Sequence, residues 1–296
     1  MSRKKCAACL LAGMALLIVP SGRAAAEENL KIGVVSSLFR DTSPSLIDFV
    51  SRPLMVLIQS QTGMTGKMLV ADSDALAQQL KEHKVQLAVF HGFEFAWVRR
   101  NCPELKPLVT VVARQPRLHA LLVVRKDCPA ASCADLKGQL LALPAFSRGH
   151  LHLYLERRSP APGSDPNKFF ARVRRPADAD NALDDVVDGM SQAALVEQAD
   201  LDDYQKGKPG RFARLRVLHQ SETFPPSVIA YAPGGLDEAT LKKVREGLLG
   251  ADRGERGKEL LGMCRITGFA EVPADYEQLL TDIFKAYPPP AKKDGK

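Results

Sequence analysis

The sequence predicts an α/β protein built as two lobes, and three observations predict it. Short, β-rich runs recur along the chain, each followed by a polar turn and then a segment of helical period, the order of strands connected by helices. Residues 85–90, apolar apart from Gln86, and residues 118–124, apolar apart from His119, lack the alternation of a half-exposed strand, so a buried and largely parallel sheet is expected. The chain has 296 residues. Even without a leader, about 270 residues exceed one ordinary domain and suit two lobes.

The first residues stand apart from this pattern. Arg3, Lys4 and Lys5 precede an apolar run over residues 10–19, which ends in Pro20 and is followed by the small residues Ala24, Ala25 and Ala26. That is the layout of a secretory signal peptide, and the run is far shorter than the ~20 residues of a membrane-spanning helix. Cys6 and Cys9 lie before or at the start of the run, where they cannot serve as a lipoprotein cysteine. An exported, periplasmic protein, cleaved after Ala26 and carrying no lipid anchor, is therefore expected. Cleavage removes four of the 41 basic residues and none of the 34 acidic ones, lowering the net charge from +7 to +3. No long basic block remains and aromatic residues make up 6%, so a nucleic-acid partner is not expected.

After the leader, residues 30–35 read as the first strand, followed by the turn-like Ser36-Ser37 and, after Pro44, a helix to about Gln61. Residues 68–70 are a second strand. Asp72-Ser-Asp74 caps a helix over 75–83, and 85–90 is the third strand. His91-Gly92 leads into a helix in which Phe93, Phe95 and Trp97 are read as core. Strands follow at 108–113 and 118–125, the latter entering a second sheet. Asp135-Leu-Lys-Gly138 introduces a strand at 139–143, and Ser147-Arg-Gly149 opens a helix at 151–158. Residues 160–166 are a loop by composition. A helix at 181–189, a strand at 192–196, a short helix at 200–204 and a strand at 214–219 come next. Phe224-Pro225-Pro226 marks a crossing segment before a strand at 228–232. From Leu236 the chain is mainly helical up to Pro288-Pro-Pro290 and a lysine-rich tail.

Four cysteines remain after cleavage: Cys102, Cys128, Cys133 and Cys264. In an oxidising compartment Cys128 and Cys133 could close a short disulfide loop; two free thiols in a turn fit the same spacing equally well. No second Cys/His pair stands at zinc-ligand spacing.

Four segments, in order, resemble the phosphate/phosphite/phosphonate-binding proteins of ABC importers. Leu30-Lys-Ile-Gly-Val-Val35 is similar to that family's first strand, and Val85-Gln-Leu-Ala-Val-Phe-His-Gly92 to its "VDIAWYG" step. Leu121-Leu-Val-Val-Arg-Lys-Asp127 with Ala134-Asp-Leu-Lys-Gly138 resembles "LIVNKDS…LADLKGK", and Thr267-Gly-Phe-Ala-Glu-Val-Pro-Ala-Asp-Tyr276 resembles the closing "TGFxPVxDxDY". The resemblance implies a type II periplasmic binding protein fold with two crossing segments. Residues 27–117 and 221–296 would form one lobe and 118–220 the other. It also implies a small oxyanion such as phosphonate, phosphite or phosphate in the cleft, a membrane permease as partner, a monomer, no cofactor and no catalysis.

Ligands of open α/β sheets bind beyond the carboxyl ends of the strands, so the loops there supply the candidate contacts. Ser147, Arg148 and Gly149 would form an anion cradle at a helix start, where the family carries an "STSG" type motif, with His150 beside them. Arg148 departs from that motif. His91 and Gly92 follow the third strand, and Ser36 and Ser37 the first. Asn181, Gln198 and Ser227 are the polar candidates of three further loops, and Arg40 is a candidate cap of the cleft. Glu94 would repel an anion unless it faces solvent or meets a cationic group on the ligand. Asp178, Asp180, Asp184, Asp185 and Asp188 read as a cap and a solvated acidic helix.

Other readings keep the same fold. A ligand sensor presented to a membrane kinase is one, and a binder of metal or another small solute is a second. The metal reading is weak because His150 and His152, two apart on a helix, diverge by about 200°. The chain has no Gly-x-Ser-x-Gly elbow, no phosphate-binding Gly-x-x-x-x-Gly-Lys loop and no His-Glu-x-x-His pair, so an enzyme is not expected. The leader reading predicts that protein recovered from the periplasm starts at Glu27. Intact-mass measurement checks this, and a retained leader or a lipid adduct would overturn it.

Overall fold

Two mixed sheets, each covered by helices, form the body of this computed structural model, which describes residues 30–40, 44–115, 117–158 and 166–290. The leader, most of the proline-rich loop at 160–166 and the lysine-rich end lie outside the described residues.

The chain starts with β1 (Leu30–Val35) and a 3-10 turn (Ser36–Phe39), then α1 (Pro44–Thr62), β2 (Gly66–Ala71), α2 (Ser73–Lys81), β3 (Leu87–Phe90), α3 (Gly92–Asn101) and β4 (Lys106–Val112). It then crosses into β5 (Ala120–Arg125), a 3-10 turn (Cys133–Leu136), β6 (Leu140–Ala142), α4 (Gly149–Arg158), α5 (Pro166–Phe169) and β7 (Arg172–Arg174). The chain continues through α6 (Ala179–Val187), β8 (Ala193–Glu197), α7 (Gln198–Gly207), α8 (Pro209–Phe212) and β9 (Leu215–Gln220), with β8 and β9 joining the same sheet. The return brings β10 (Val228–Tyr231), α9 (Glu238–Leu249), α10 (Glu255–Met263), β11 (Gly268–Ala270) and α11 (Tyr276–Ala286). Asp72 caps α2 by accepting from the Ala75 amide at 2.8 Å, as its position before the helix predicts.

The first sheet has the order β11-β4-β10-β3-β1-β2 and the second β7-β6-β8-β5-β9. The sheets are mixed, not largely parallel: β10 runs against both β3 and β4, and β5 runs against β8 and β9. An unbroken apolar run reports that both faces are covered, and strands of either direction satisfy that. The three-residue strands β7 and β11 and the four-residue helices α5 and α8 were not expected; they are too short to carry a period.

The two crossings lie side by side. Leu118 and Phe224 form an isolated antiparallel bridge, with the Phe224 amide donating to the Leu118 carbonyl at 2.9 Å. Ser221 accepts the Ala120 amide on its hydroxyl at 2.9 Å. The Phe224 side chain is fully buried and meets the rings of Phe93 at 6.3 Å, His150 at 5.4 Å and Tyr287 at 4.8 Å. One apolar cluster therefore runs through the crossing, from Phe90 and Tyr276 on one side to Leu122 and Leu195 on the other. Tyr276 also donates its hydroxyl to the Pro226 carbonyl at 3.0 Å.

One expectation changes at this level, and a choice left open by the sequence meets an observation. The acids of α6 are largely paired: Asp184 accepts from the Tyr204 hydroxyl at 2.6 Å, Lys208 at 2.7 Å and Arg211 at 2.7 Å. Arg211 also reaches Asp188 at 2.7 Å, and Arg174 reaches Asp185 at 3.0 Å. These cations come from outside α6, Lys208 from the junction of α7 and α8, Arg211 from α8 and Arg174 from β7, so no periodicity within α6 could reveal them. Cys128 and Cys133 are free thiols, as are Cys102 and Cys264. Between the first two, Asp135 accepts the amides of Ala131 at 2.9 Å and Ser132 at 2.8 Å, shaping the loop without a crosslink. Both thiols pack against the apolar cluster.

Gly92 shows how tightly the crossing is seated. A Cβ built there lies 2.5 Å from the Pro226 carbonyl oxygen and closer still to that of Pro225, and both obstacles are backbone. Gly92→Ala is expected to cost about 1–3 kcal/mol in urea unfolding. Gly262→Ala, where a Cβ meets nothing within 4 Å, should stay within about 1 kcal/mol of the parent. Equal effects at both sites would contradict the packing described.

Candidate functional site

A cavity of about 970 Å³ lies between the two sheets, where strand ends, helix starts and the second crossing meet. From one side come the 3-10 turn after β1, the start of α3 and the segment Met263 to Phe269; from the other come the loop before α4 and the start of α7.

At α3, His91 occupies the cap position and Gly92 the first helical position. Glu94 is the third helical residue and is buried. Its carboxylate accepts the Ser37 hydroxyl at 2.8 Å on each oxygen and a backbone hydrogen bond from His91. It is half of a capping box, buried, and it does not line the cavity. Burial still dominates and raises its pKa to about 7 against these bonds. His91 is 7% exposed, and its Nε2 has no hydrogen-bond partner. Burial, with a smaller contribution from the Arg148 charge, lowers its pKa to about 4, so the ring is neutral at pH 7. The ring touches the other side: a Cβ at Gly149 would lie 2.6 Å from His91 Nε2.

At α4 the helix starts at Gly149. Ser147 therefore sits two residues before it, and its hydroxyl meets His152 Nε2 at 3.0 Å. Ser147 is expected to belong to an anion cradle; here its hydroxyl is engaged by the helix's own histidine. His150 is 2% exposed, with Nε2 unpartnered and its pKa held well below 6.5 by burial. Arg148 pairs with Glu197 at 3.2 Å and donates to the Arg265 carbonyl at 3.0 Å across the cleft. Glu197 is pushed up to about 6 by burial, with Arg148 opposing. Among the described residues no three His, Cys, Asp or Glu side chains converge as a metal cluster.

Of the candidates, Ser37, His91 and Gly92 line the cavity from one side, and Ser147, Arg148, Gly149 and His150 from the other. Ser227 lines it at the second crossing. Ser36, Asn181 and Gln198 do not. Ser36 is exposed at the outer start of the 3-10 turn. Asn181 is exposed, with its amide donating to the capping Asp178 at 2.8 Å. The Gln198 side chain donates to Asp202 one helical turn on at 2.7 Å. Arg40 lines the cleft and bridges it, pairing with Glu156 of α4 at 3.0 Å.

Sequence reasoning missed Arg265 and Phe146. The Arg265 guanidinium lies 4.9 Å from the centre of the Phe146 ring and donates to the Phe146 carbonyl at 3.4 Å. Both backbones are left-handed, at φ +55° and +56°, a strained state for such residues. Neither position carries the glycine or asparagine that would signal it. Arg114 was missed as well; it pairs with Asp200 and Asp203 on α7. Among the described residues Arg265 is the cleft arginine with no carboxylate partner, whereas Arg40 and Arg148 each have one and Arg114 has two.

Comparison with known proteins gives a consistent picture. The family model "ABC transporter, phosphonate, periplasmic substrate-binding protein" matches residues 40–276. No curated protein matches the chain. The fold is similar to XAC2383 from Xanthomonas citri bound to chloride ion, at 20% identity over 87% of this chain and 96% of that one, with a TM-score of 0.52. It is similar to PA3383 from Pseudomonas aeruginosa, a binding protein component of an ABC phosphonate transporter, at 19% identity over 86% and 84%, TM-score 0.52. It is also similar to PhnD1 from Prochlorococcus marinus in complex with methylphosphonate, at 16% identity over 88% and 98%, TM-score 0.52. No helix of the described residues is long and apolar enough to cross a membrane.

The buried Glu94 carboxyl predicts a pH signature. Its folded pKa of about 7 lies above the ordinary 4.5, so its contribution to stability is complete below pH 4.5 and is lost as the pH rises through 7, a loss of about 3 kcal/mol. His91 acts in the opposite sense: its contribution is complete above pH 6.5 and is lost as the pH falls through about 4. Glu94→Gln removes only the first. Between about pH 4.5 and 8.5 the variant is expected to gain about 3 kcal/mol on the parent in urea unfolding. A difference that stays flat with pH would contradict a buried titrating carboxyl.

Proposed function

Since the chain belongs to the periplasmic substrate-binding proteins of phosphonate ABC transporters, we propose that it captures a small oxyanion such as phosphonate, phosphite or phosphate in the cleft between two lobes and hands it to a membrane permease. The lobes are residues 27–117 with 221–296, and residues 118–220. The mature protein is a monomer released after Ala26.

One observation carries this reading. Two ten-residue helices, α3 and α4, start at the same cavity from opposite sides, and the Arg265 guanidinium at its edge has no carboxylate partner among the described residues. Helix starts offer free amides and partial positive charge, and a guanidinium adds a forked donor for an oxyanion. Ser227, which lines the cavity at the second crossing, adds a further donor.

The mechanism is differential contact. An anion first met by the start of α3 and Arg265 gains the donors of α4 only when the lobes close, so binding favours the closed form. Contacts across the cleft, Arg148 with the Arg265 carbonyl and Arg40 with Glu156, define that closed shape for the permease. No bond in the ligand is made or broken.

Melting of the mature protein with methylphosphonate, phosphite or phosphate tests the assignment. An oxyanion at a hundred times its Kd stabilises by about 2.7 kcal/mol, and Arg265→Ala is expected to weaken that ligand at least about tenfold by calorimetry. If none of the three stabilises the protein, the oxyanion assignment fails.

A further inference from the structure

We propose that the ligand is an amphiphilic anion, with its oxyanion head at the arginine-bearing edge of the cleft and an alkyl or aryl body lying across the first sheet. This rests on the reading of the cleft as an oxyanion site and names the class of ligand that site accepts.

The case begins with apolar side chains on one face of the first sheet, in two in-register sets staggered by two residues where β10 meets β4. Val34 on β1 is in register with Val89 on β3, and Val89 with Ile229 on β10. Val111 on β4 is in register with Phe269 on β11. All five line the cavity, together with Met68 of β2, so each strand of the first sheet contributes one apolar side chain to it. Leu54 of α1 also lines it. These side chains continue a face that packs elsewhere against Leu57, Val244 and Leu248 of the covering helices. At the cleft the same face borders open volume.

That volume is not a packing defect. Protein interiors leave few voids larger than a water molecule, and this cavity, at about 970 Å³, stands at the upper end of the range for small-molecule sites. Methylphosphonate would fill a small part of it and would leave the half-buried side chains of Leu54, Met68 and Val111 in contact with water, above a floor of Val34, Val89, Ile229 and Phe269 that is already buried. The donors are segregated: Arg148, Arg265, Ser227 and the helix starts belong to the loops and the crossing, not to the apolar face. His91, moreover, is already packed against the start of α4. A ligand that satisfies both regions has charge at one end and hydrocarbon at the other.

Calorimetry on the mature protein with methylphosphonate, n-octylphosphonate and 1-octanol separates the possibilities. Each buried methylene is worth about a fourfold gain in affinity, so n-octylphosphonate is expected to bind at least about 100-fold tighter than methylphosphonate. Val89→Asp should collapse that ratio toward one. Because this substitution sits in a central strand, Leu54→Asp on the covering helix is the parallel variant, read by the same ratio. Equal affinity for the two phosphonates overturns the amphiphile and leaves the oxyanion reading standing. Binding of 1-octanol without either phosphonate overturns the anionic head, and with it the oxyanion reading. Binding of none of the three overturns both.

Discussion

The two chain crossings are held to each other by the backbone bridge between Leu118 and Phe224, and the rest of the structure depends on that contact. A crossing segment is where a two-sheet protein has least secondary structure to satisfy its backbone, so pairing one crossing with the other answers a need that neither could meet alone. Because the pair is sealed by the buried Phe224 ring, the cores of the two sheets become one cluster at this point. The starts of α3 and α4 are brought to the same cavity as a consequence. Gly92 is permitted no side chain because the crossing carbonyls lie against it.

Electrostatics in the cleft follows from that arrangement. Closing the two sheets over the helix starts removes water from His91, His150, Glu94 and Glu197, and in each case burial is the largest influence on the ionisation. The histidines become neutral packing groups. The carboxyl groups are raised less than burial alone would raise them because neighbours oppose it: Ser37 and the His91 backbone at Glu94, Arg148 at Glu197. Charge that remains available to a ligand is thereby concentrated at the edge, on Arg265. The floor of the cavity is left to apolar side chains of the first sheet.

Much of the fold was legible because it is written in local pattern. The apolar runs at β1, β3, β5 and β8, the Asp72 cap of α2 and the alternation of strand, turn and helix all depend on neighbours in sequence, and the structure contains each of them. Strand direction was not legible, since an apolar run looks alike whether its neighbour is parallel or not. Neither were the ion pairs of α6, whose cations come from β7, α8 and the junction before α8.

The site divides along the same line. Residue types and loop positions brought His91, Gly92, Arg148, Gly149 and Ser227 into consideration, and all five border the cavity. By itself the sequence determined a two-lobed α/β chain of the phosphonate-binding kind, because hydrophobic period, capping chemistry and ordered motifs are properties of neighbouring residues. Only the tertiary structure decided that Glu94 is a buried cap, that Ser147 is bound to His152, that Arg265 stands at the cleft edge and that six strands line the cavity with hydrocarbon. Those facts depend on which side chains meet across the crossing, and chain order does not encode such meetings.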